Sequence, residues 1–139
     1  MTDSKAFIDT NILVYAADGS DIVKRDTARG LIAELTDSGR AVISTQVMQE
    51  FFNVAVKKLQ MSKNAALEIL KTLYTVETIS TTRETVLQAI DFSINYQYSI
   101  WDSLILAAAI DAGCRIVYSE DLNDGQIIEG VEIKNPFQE

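Results

Sequence analysis

Carboxylates are the side chains of this sequence best able to carry chemistry. Its 139 residues include 20 Asp and Glu, no His and a single Cys, Cys114. The absence of His excludes Ser-His-Asp and Cys-His catalysis, and it also excludes the common zinc sites, which use His or several Cys. An enzyme of this composition that works by acid–base or metal chemistry must therefore use its acids.

Asp9 is the first acid in an unusual position. Within KAFIDTNILVYA it follows the apolar run 6–8 and precedes a second apolar run, 12–14. A carboxylate between two segments that both belong in a core is unfavourable unless a partner stabilises it. Asp9 is therefore the cap of a helix that begins near Ile12, a salt-bridge partner or part of a site.

Three further acids stand in comparable positions. Glu50 interrupts the apolar segment 47–52, where only a salt bridge with a lysine would otherwise explain a charge. Asp102 stands at the start of an apolar helix and suits a cap or a partner of the helix dipole. Asp121 lies in the polar segment 119–125, which also has the composition of a simple turn.

The elements that must position these acids alternate between strands and helices. Short buried strands are predicted at 5–8, 41–43, 76–79, 115–118 and 131–133, and helices at 21–36, 46–58, 62–74, from Thr82 and from Asp102 to Gly113. Such alternation is typical of a parallel sheet with helices on both faces. We therefore predict one α/β domain over residues 1–139, a three-layer α/β/α sandwich with a short, mainly parallel sheet of four to five strands.

Two of the helices carry more specific expectations. The segment 104–110 is apolar on all sides, which is typical of a helix at the centre of a molecule. The helix from Thr82 has a row of apolar residues: Val86, Ala89, Ile90 and Ile94. We expect that row to be buried.

The predicted sheet brings the four acids to one edge. In open α/β sheets, ligands bind beyond the carboxyl ends of the strands, where the strand order reverses. Like charges in one pocket raise each other's pKa unless cations neutralise them. Since all the available ligands are oxygens, the expected cation is Mg²⁺ or Mn²⁺.

The charge and composition limit the class of protein. A net charge of −8 argues against general affinity for nucleic acid, although acids clustered around bound cations weaken that objection. No apolar run reaches the roughly 20 residues that span a bilayer. The N-terminus lacks the layout of a secretory signal, and a lone cysteine fits a reducing compartment. We expect a cytoplasmic protein with no membrane segment.

Four stretches together carry a resemblance to a known family: FIDTNILVYA at 7–16, STQVMQEF at 44–51, YSIWDSLILAAA at 98–109 and IVYSEDLNDGQ at 116–126. In this order and spacing they resemble the PIN-domain ribonucleases, in particular the VapC-type toxins of prokaryotic toxin–antitoxin pairs. The resemblance implies a metal-dependent endoribonuclease that hydrolyses RNA phosphodiester bonds. It implies a catalytic and metal-binding quartet of Asp9, Glu50, Asp102 and Asp121, in which Glu50 binds metal directly or through water.

Three other residues match family positions of lesser weight. Ser119 matches a small hydroxyl and would orient the attacking water, and Asn11 matches the polar residue that follows the first acid. Asp124 stands at a position that varies among relatives and is a further candidate metal ligand. The resemblance also implies a homodimer and a small antitoxin that plugs the pocket with a basic side chain. Three apolar residues offer a surface for the dimer: Phe51, Phe52 and Val56.

RNA binding requires basic or aromatic groups around the acids. Four basic residues are candidates for phosphate contact: Arg25, Arg29, Lys57 and Lys58. Ordinary solvated helix surfaces are the alternative interpretation of these charges. Tyr15 and Trp101 flank the acids and are able to stack on bases, but core packing is the interpretation we favour for both.

Two other functions remain as alternatives. A haloacid-dehalogenase-like phosphatase would use Asp9 as its nucleophile, but it needs a second aspartate where Asn11 stands. A receiver-like signalling module, which is not an enzyme, needs a phosphoacceptor aspartate after the third strand, and the segment 79–81 has none.

Overall fold

The computed structural model describes residues 4–138. The elements in chain order are β1 (Ala6–Ile8), α1 (Thr10–Ala17), α2 (Ile22–Asp37), β2 (Ala41–Ser44), α3 (Thr45–Lys57), α4 (Lys63–Thr72), β3 (Glu77–Ile79), α5 (Arg83–Tyr96), α6 (Ile100–Asp111), β4 (Ile116–Tyr118), β5 (Ile127–Ile128) and β6 (Val131–Lys134). Hydroxyl side chains cap most of these helices: Ser44 caps α3, Ser62 caps α4, Thr82 caps α5 and Ser99 caps α6.

The strands form one sheet in the order β3-β2-β1-β4-β6-β5. All neighbouring pairs are parallel except β5 and β6. The predicted α/β architecture with a mainly parallel sheet is confirmed, and the sheet has one strand more than predicted. That strand, β5, has two residues and turns back on β6 through Glu129 and Gly130, whose φ angles are 51° and 81°. A strand of two residues is too short to show an alternating pattern.

Helices cover both faces of this sheet. α1 packs on α2 and α3, α3 packs on α4, and α5 packs on α6. Because crossovers between parallel strands are right-handed, the reversal of direction between β3 and β4 carries α5 and α6 to the opposite face. The same reversal makes β1 and β4 the neighbours at which the strand order switches, and their carboxyl ends border a crevice.

The core is centred on β1, β2 and α6. Every residue of β1 and β2 is buried, and so is the run Ser103–Ala109 in α6. The prediction that this apolar helix is central is confirmed. Within residues 4–138, no helix is long and apolar enough to cross a membrane.

The buried face of α5 differs from the prediction. Its buried residues are Thr85, Ala89 and Phe92. Val86, Ile90 and Ile94 are instead 37%, 42% and 69% exposed. The helix has apolar residues on two faces, and the face that carries Phe92, the largest apolar side chain of α5, packs inward. The expected dimer surface also needs correction, because Phe51 is fully buried in the core.

Candidate active site

A cleft of about 590 Å³ opens at the carboxyl ends of β1 and β4, and all four predicted acids line it. Asp9 follows β1, Glu50 lies on α3, Asp102 lies in the first turn of α6 and Asp121 follows β4. We call this cavity the acidic cleft. The topology explains the convergence, because β1 and β4 are adjacent and α3 and α6 both begin near the same edge of the sheet.

Asp9 is the most buried of these acids, with 5% of its surface exposed. Its Oδ1 accepts a hydrogen bond from the backbone N of Thr10 at 2.7 Å, and its Oδ2 accepts one from Oγ of Ser119 at 2.7 Å. Burial is the main cause that raises the pKa of Asp9 to about 7; the charges of Glu50 and Asp121 also raise it, and the two hydrogen bonds lower it. Asp9 therefore caps α1, which confirms one interpretation of this residue. It also lines the cleft, and its role in a site remains a prediction.

The amide of Asn11 connects the ends of the two central strands. Its Nδ2 lies 3.2 Å from Oδ2 of Asp9, 3.2 Å from Oδ2 of Asp121 and 3.3 Å from Oγ of Ser119. Its Oδ1 accepts a hydrogen bond from the backbone N of Glu120 at 3.1 Å. One side chain thus holds two like-charged carboxylates on either side of a neutral donor.

Glu50 and Asp102 complete the cleft in different ways. Glu50 accepts hydrogen bonds from Oγ1 of Thr10 at 2.7 Å and from Nε2 of Gln46 at 3.3 Å, so its orientation is fixed. Asp102 is half-buried, and this burial raises its pKa, as do the nearby charges of Asp121 and Glu50. A cluster of acids with raised pKa values is typical of a functional site.

A comparison with known families now identifies the fold. The family model described as PIN domain matches residues 6–124 of this chain. The chain belongs to the PIN domain family. The predicted family is confirmed, and the phosphatase-like and receiver-like alternatives are set aside.

Solved structures of a VapC toxin and of toxin–antitoxin complexes are similar to this chain along most of its length. VapC20 of Mycobacterium tuberculosis, a sarcin-ricin loop cleaving toxin, has 18% identity and a TM-score of 0.71, covering 84% of this chain and 90% of its own. A toxin–antitoxin complex from Klebsiella pneumoniae has 21% identity and a TM-score of 0.74, and the match covers 96% of this chain and 99% of the chain in that complex. DNA-bound VapBC from Salmonella typhimurium has 17% identity and a TM-score of 0.71, and the match covers 96% of this chain and 98% of the chain in that structure. No curated protein sequence gives a significant match. At these identities the similarity establishes the fold.

The donor chemistry of this PIN domain suits a hard divalent cation. Only oxygen ligands line the acidic part of the cleft, as Mg²⁺ and Mn²⁺ prefer. As the side chains stand, no three acids within residues 4–138 are close enough together to hold one ion. Asp121 is exposed and Asp102 half-buried, and side chains at a surface change rotamer rapidly. A metal site in this cleft would therefore require these carboxylates to turn towards Asp9, and metal binding by the four acids remains a prediction.

The predicted ligand Asp124 lies elsewhere. Its Oδ1 accepts a hydrogen bond from the backbone N of Asn135 at 2.7 Å, and it is not among the residues that line the cleft. In this position Asp124 secures the segment after β6.

Sequence reasoning missed several residues that hold the site of this PIN domain together. Gln46 lies four residues before Glu50, a spacing that places both on one helix face and was a usable signal. Glu120 precedes Asp121 and pairs with Lys24, and it also accepts a hydrogen bond from Tyr15 Oη at 2.6 Å. No signal in the sequence pairs these segments, because about 100 residues separate them and only the fold brings them together.

Of the basic residues predicted to contact RNA, Lys58 lines the acidic cleft and the other three do not. Lys57 is exposed on α3, and Arg25 pairs with Asp26 at 3.2 Å. Arg29 borders a second, apolar groove of about 460 Å³ between α1, α2, α3 and α4. Contact between these residues and RNA remains a prediction.

Trp101 contradicts the expectation of core packing. The residue is 62% exposed and lines the acidic cleft next to Asp102 in the chain. Tyr15 is half-buried, and its ring packs edge-on against Phe137 with centroids 4.9 Å apart. Trp101 is the second residue of α6, and the buried stretch of that helix begins at Ser103. Its indole therefore lies outside the core.

Proposed function

We propose that this PIN domain is a metal-dependent endoribonuclease that hydrolyses RNA phosphodiester bonds. The observation that carries the proposal is Asp9, a buried carboxylate with a pKa raised to about 7, which shares one cleft with three other acids. Burial and the neighbouring negative charges both disfavour the ionised carboxylate of Asp9, whereas a bound cation would favour it. The position of the cleft at the switch point of a PIN fold supports a nuclease.

The proposed metal site consists of the four acids of the cleft, Asp9, Glu50, Asp102 and Asp121. Mg²⁺ or Mn²⁺ bound there would lower the pKa of a bound water and stabilise charge on the phosphodiester oxygens. Glu50 would contact the ion directly or through water.

Other residues of the chain would orient these carboxylates. Ser119 donates to Asp9, and Thr10 and Gln46 donate to the two oxygens of Glu50. Such hydrogen bonds to metal ligands fix their orientation, and removing them typically lowers affinity or activity by 10–100-fold. The chain has no His to act as general base, so the acids of the cleft would orient the attacking water. Ser119 is fully buried and donates to Asp9, so it would act through that carboxylate rather than on the water as predicted.

We further propose that the chain is the toxin of a toxin–antitoxin pair and acts on RNA in the cytoplasm. The similar structures from Klebsiella pneumoniae and Salmonella typhimurium are toxin–antitoxin and VapBC complexes, which supports a small antitoxin partner. A basic side chain of that partner would be complementary to the acidic cleft. A homodimer is also proposed, by analogy with the family.

Cleavage of a panel of structured RNAs by the purified protein tests the nuclease. The assay is run with Mg²⁺, Mn²⁺ or EDTA on the wild type, Asp9→Asn, Asp102→Asn and the matched control Asp91→Asn, an exposed acid on α5. We expect cleavage only with metal, unchanged in Asp91→Asn and reduced by more than about 100-fold in both cleft variants, beyond the usual effect of an outer-sphere partner. Absence of cleavage of every RNA, together with no Mn²⁺ binding by calorimetry, would overturn the proposal.

A further inference from the structure

Trp101 is an exposed aromatic residue that lines the acidic cleft. Trp101 is the second residue of α6, next to Asp102, and 62% of its surface is exposed. Within residues 4–138 it has neither an aromatic neighbour in stacking geometry nor a cation over its ring. An apolar ring of this size is normally buried, so its exposure at the edge of a site indicates a ligand.

We propose that Trp101 is a stacking platform for an unpaired base of the RNA. The inference rests on the function proposed above and extends it by a residue that contacts the substrate. Bases stack on aromatic side chains largely without regard to sequence, because every base has a π-face. A double helix keeps its base faces covered and would not offer one to the indole.

The backbone of this platform is tied to the acids. Nε2 of Gln46 donates to the carbonyl oxygen of Trp101 at 3.2 Å and to Oε2 of Glu50 at 3.3 Å. Gln46 is itself buried, so its amide fixes the backbone of Trp101 relative to the side chain of Glu50. A base on the indole would hold its nucleotide beside the carboxylates, and such preorganisation is what positions a bond for reaction.

The charge of the cleft favours stacking over phosphate contact as the source of affinity. Among the described residues that line it, Lys58 is the one cation, against Asp9, Glu50, Asp102 and further acids. A net charge of −8 likewise provides no long-range attraction for RNA. A base is neutral, so its contact with the indole is not opposed by the carboxylates.

The fluorescence of Trp101 provides a direct test, because the chain has one tryptophan. Asp9→Asn, which is expected to be inactive, is titrated in Mg²⁺ with an unstructured RNA of about 12 nucleotides, within the range that such sites occupy. The same RNA annealed to its complement and an abasic RNA of equal length are titrated alongside. We expect saturable quenching by the single strand and much weaker quenching by the duplex and the abasic RNA.

Variants test the contact by a second readout, the anisotropy of the same RNA carrying a fluorescent label. In the Asp9→Asn background, Trp101→Leu should weaken binding by about 5- to 150-fold, as expected for the loss of one stacked base. Trp101→Phe should restore part of that affinity, since it keeps an aromatic face. Tyr74→Leu is the control, because Tyr74 is 92% exposed and does not line the cleft.

The outcomes separate this inference from the nuclease proposal. Equal binding by Trp101→Leu and its control, or equal quenching by duplex and single strand, would overturn the stacking platform while cleavage by the wild type is unaffected. A change in emission with protein concentration but not with RNA would also overturn it, because a second copy of the chain would then cover the ring. Loss of cleavage in every RNA, with quenching intact, would overturn the nuclease and leave the base contact supported.

Discussion

The substitution Asp9→Asn should stabilise the metal-free protein relative to the wild type as the pH rises. Burial raises the pKa of Asp9 from 3.8 to about 7. The folded chain therefore binds more protons than the unfolded chain between these pH values, and the free energy of unfolding of the wild type falls as the pH rises through this window. A pKa shift of about three units corresponds to roughly 4 kcal/mol of folding stability. The wild type has this stability below pH 4 and has lost it above pH 7.

Asparagine removes this penalty but introduces a smaller one of its own. The new amide would place an NH₂ group near Nδ2 of Asn11, which now lies 3.2 Å from Oδ2 of Asp9, and it would lose the charged acceptor of the Ser119 hydroxyl. An imperfectly satisfied buried group costs about 1–3 kcal/mol at any pH. The net effect at pH 8 is thus a stabilisation of about 1–3 kcal/mol, whereas at pH 4 the variant is the less stable protein.

Urea unfolding followed by circular dichroism in EDTA at pH 5, 6, 7 and 8 measures this effect. The free-energy difference between Asp9→Asn and the wild type should grow in favour of the variant by about 1.4 kcal/mol per pH unit up to pH 7 and then level off. Asp91→Asn, which replaces an exposed acid, should stay within about 0.5 kcal/mol of the wild type at every pH. A difference that is constant from pH 5 to pH 8 would refute the account of Asp9 as a buried acid held without its cation.

Further predictions concern the metal, the core, the thiol and assembly. Mg²⁺ or Mn²⁺ at 100 times its dissociation constant should raise the unfolding free energy of the wild type by about 2.7 kcal/mol, and that of Asp9→Asn far less, as measured by urea unfolding with and without the ion. Leu106→Ala should lower the unfolding free energy of the protein by about 2–5 kcal/mol, because Leu106 is fully buried in α6. Burial raises the pKa of the Cys114 thiol to about 12, so a thiol reagent at pH 8 should label it slowly in the native protein and rapidly in urea. Sedimentation velocity should show a dimer for the wild type, and a monomeric wild type would contradict the proposed homodimer.

The parts of the structure that could be predicted were those with a strong local pattern. The alternation of short apolar runs with helical segments predicted the sheet, and an apolar run on all sides predicted the central α6. Asp9 and Asp121 could be placed at one edge because they lie just beyond the ends of strands, and the fold then makes those strands neighbours.

The parts that could not be predicted depend on competition between distant residues. α5 has apolar residues on two faces, and only packing decides that Phe92 lies inside and Ile94 outside. The contact of Glu120 with Lys24 and Tyr15 joins segments that no pattern relates. Trp101 was expected in the core because tryptophan usually packs there, and its exposure depends on where α6 begins relative to the sheet.

Asn11 shows how this fold tolerates carboxylates that repel one another. The same amide donates to Asp9 and Asp121 and accepts from the backbone of Glu120, so it holds the ends of β1 and β4 together without a charge of its own. An aspartate at this position would add a further negative charge to the cluster and remove the donor. The asparagine therefore joins the two strand ends without adding charge, and it leaves carboxylate oxygens of the cleft available to the cation that we propose.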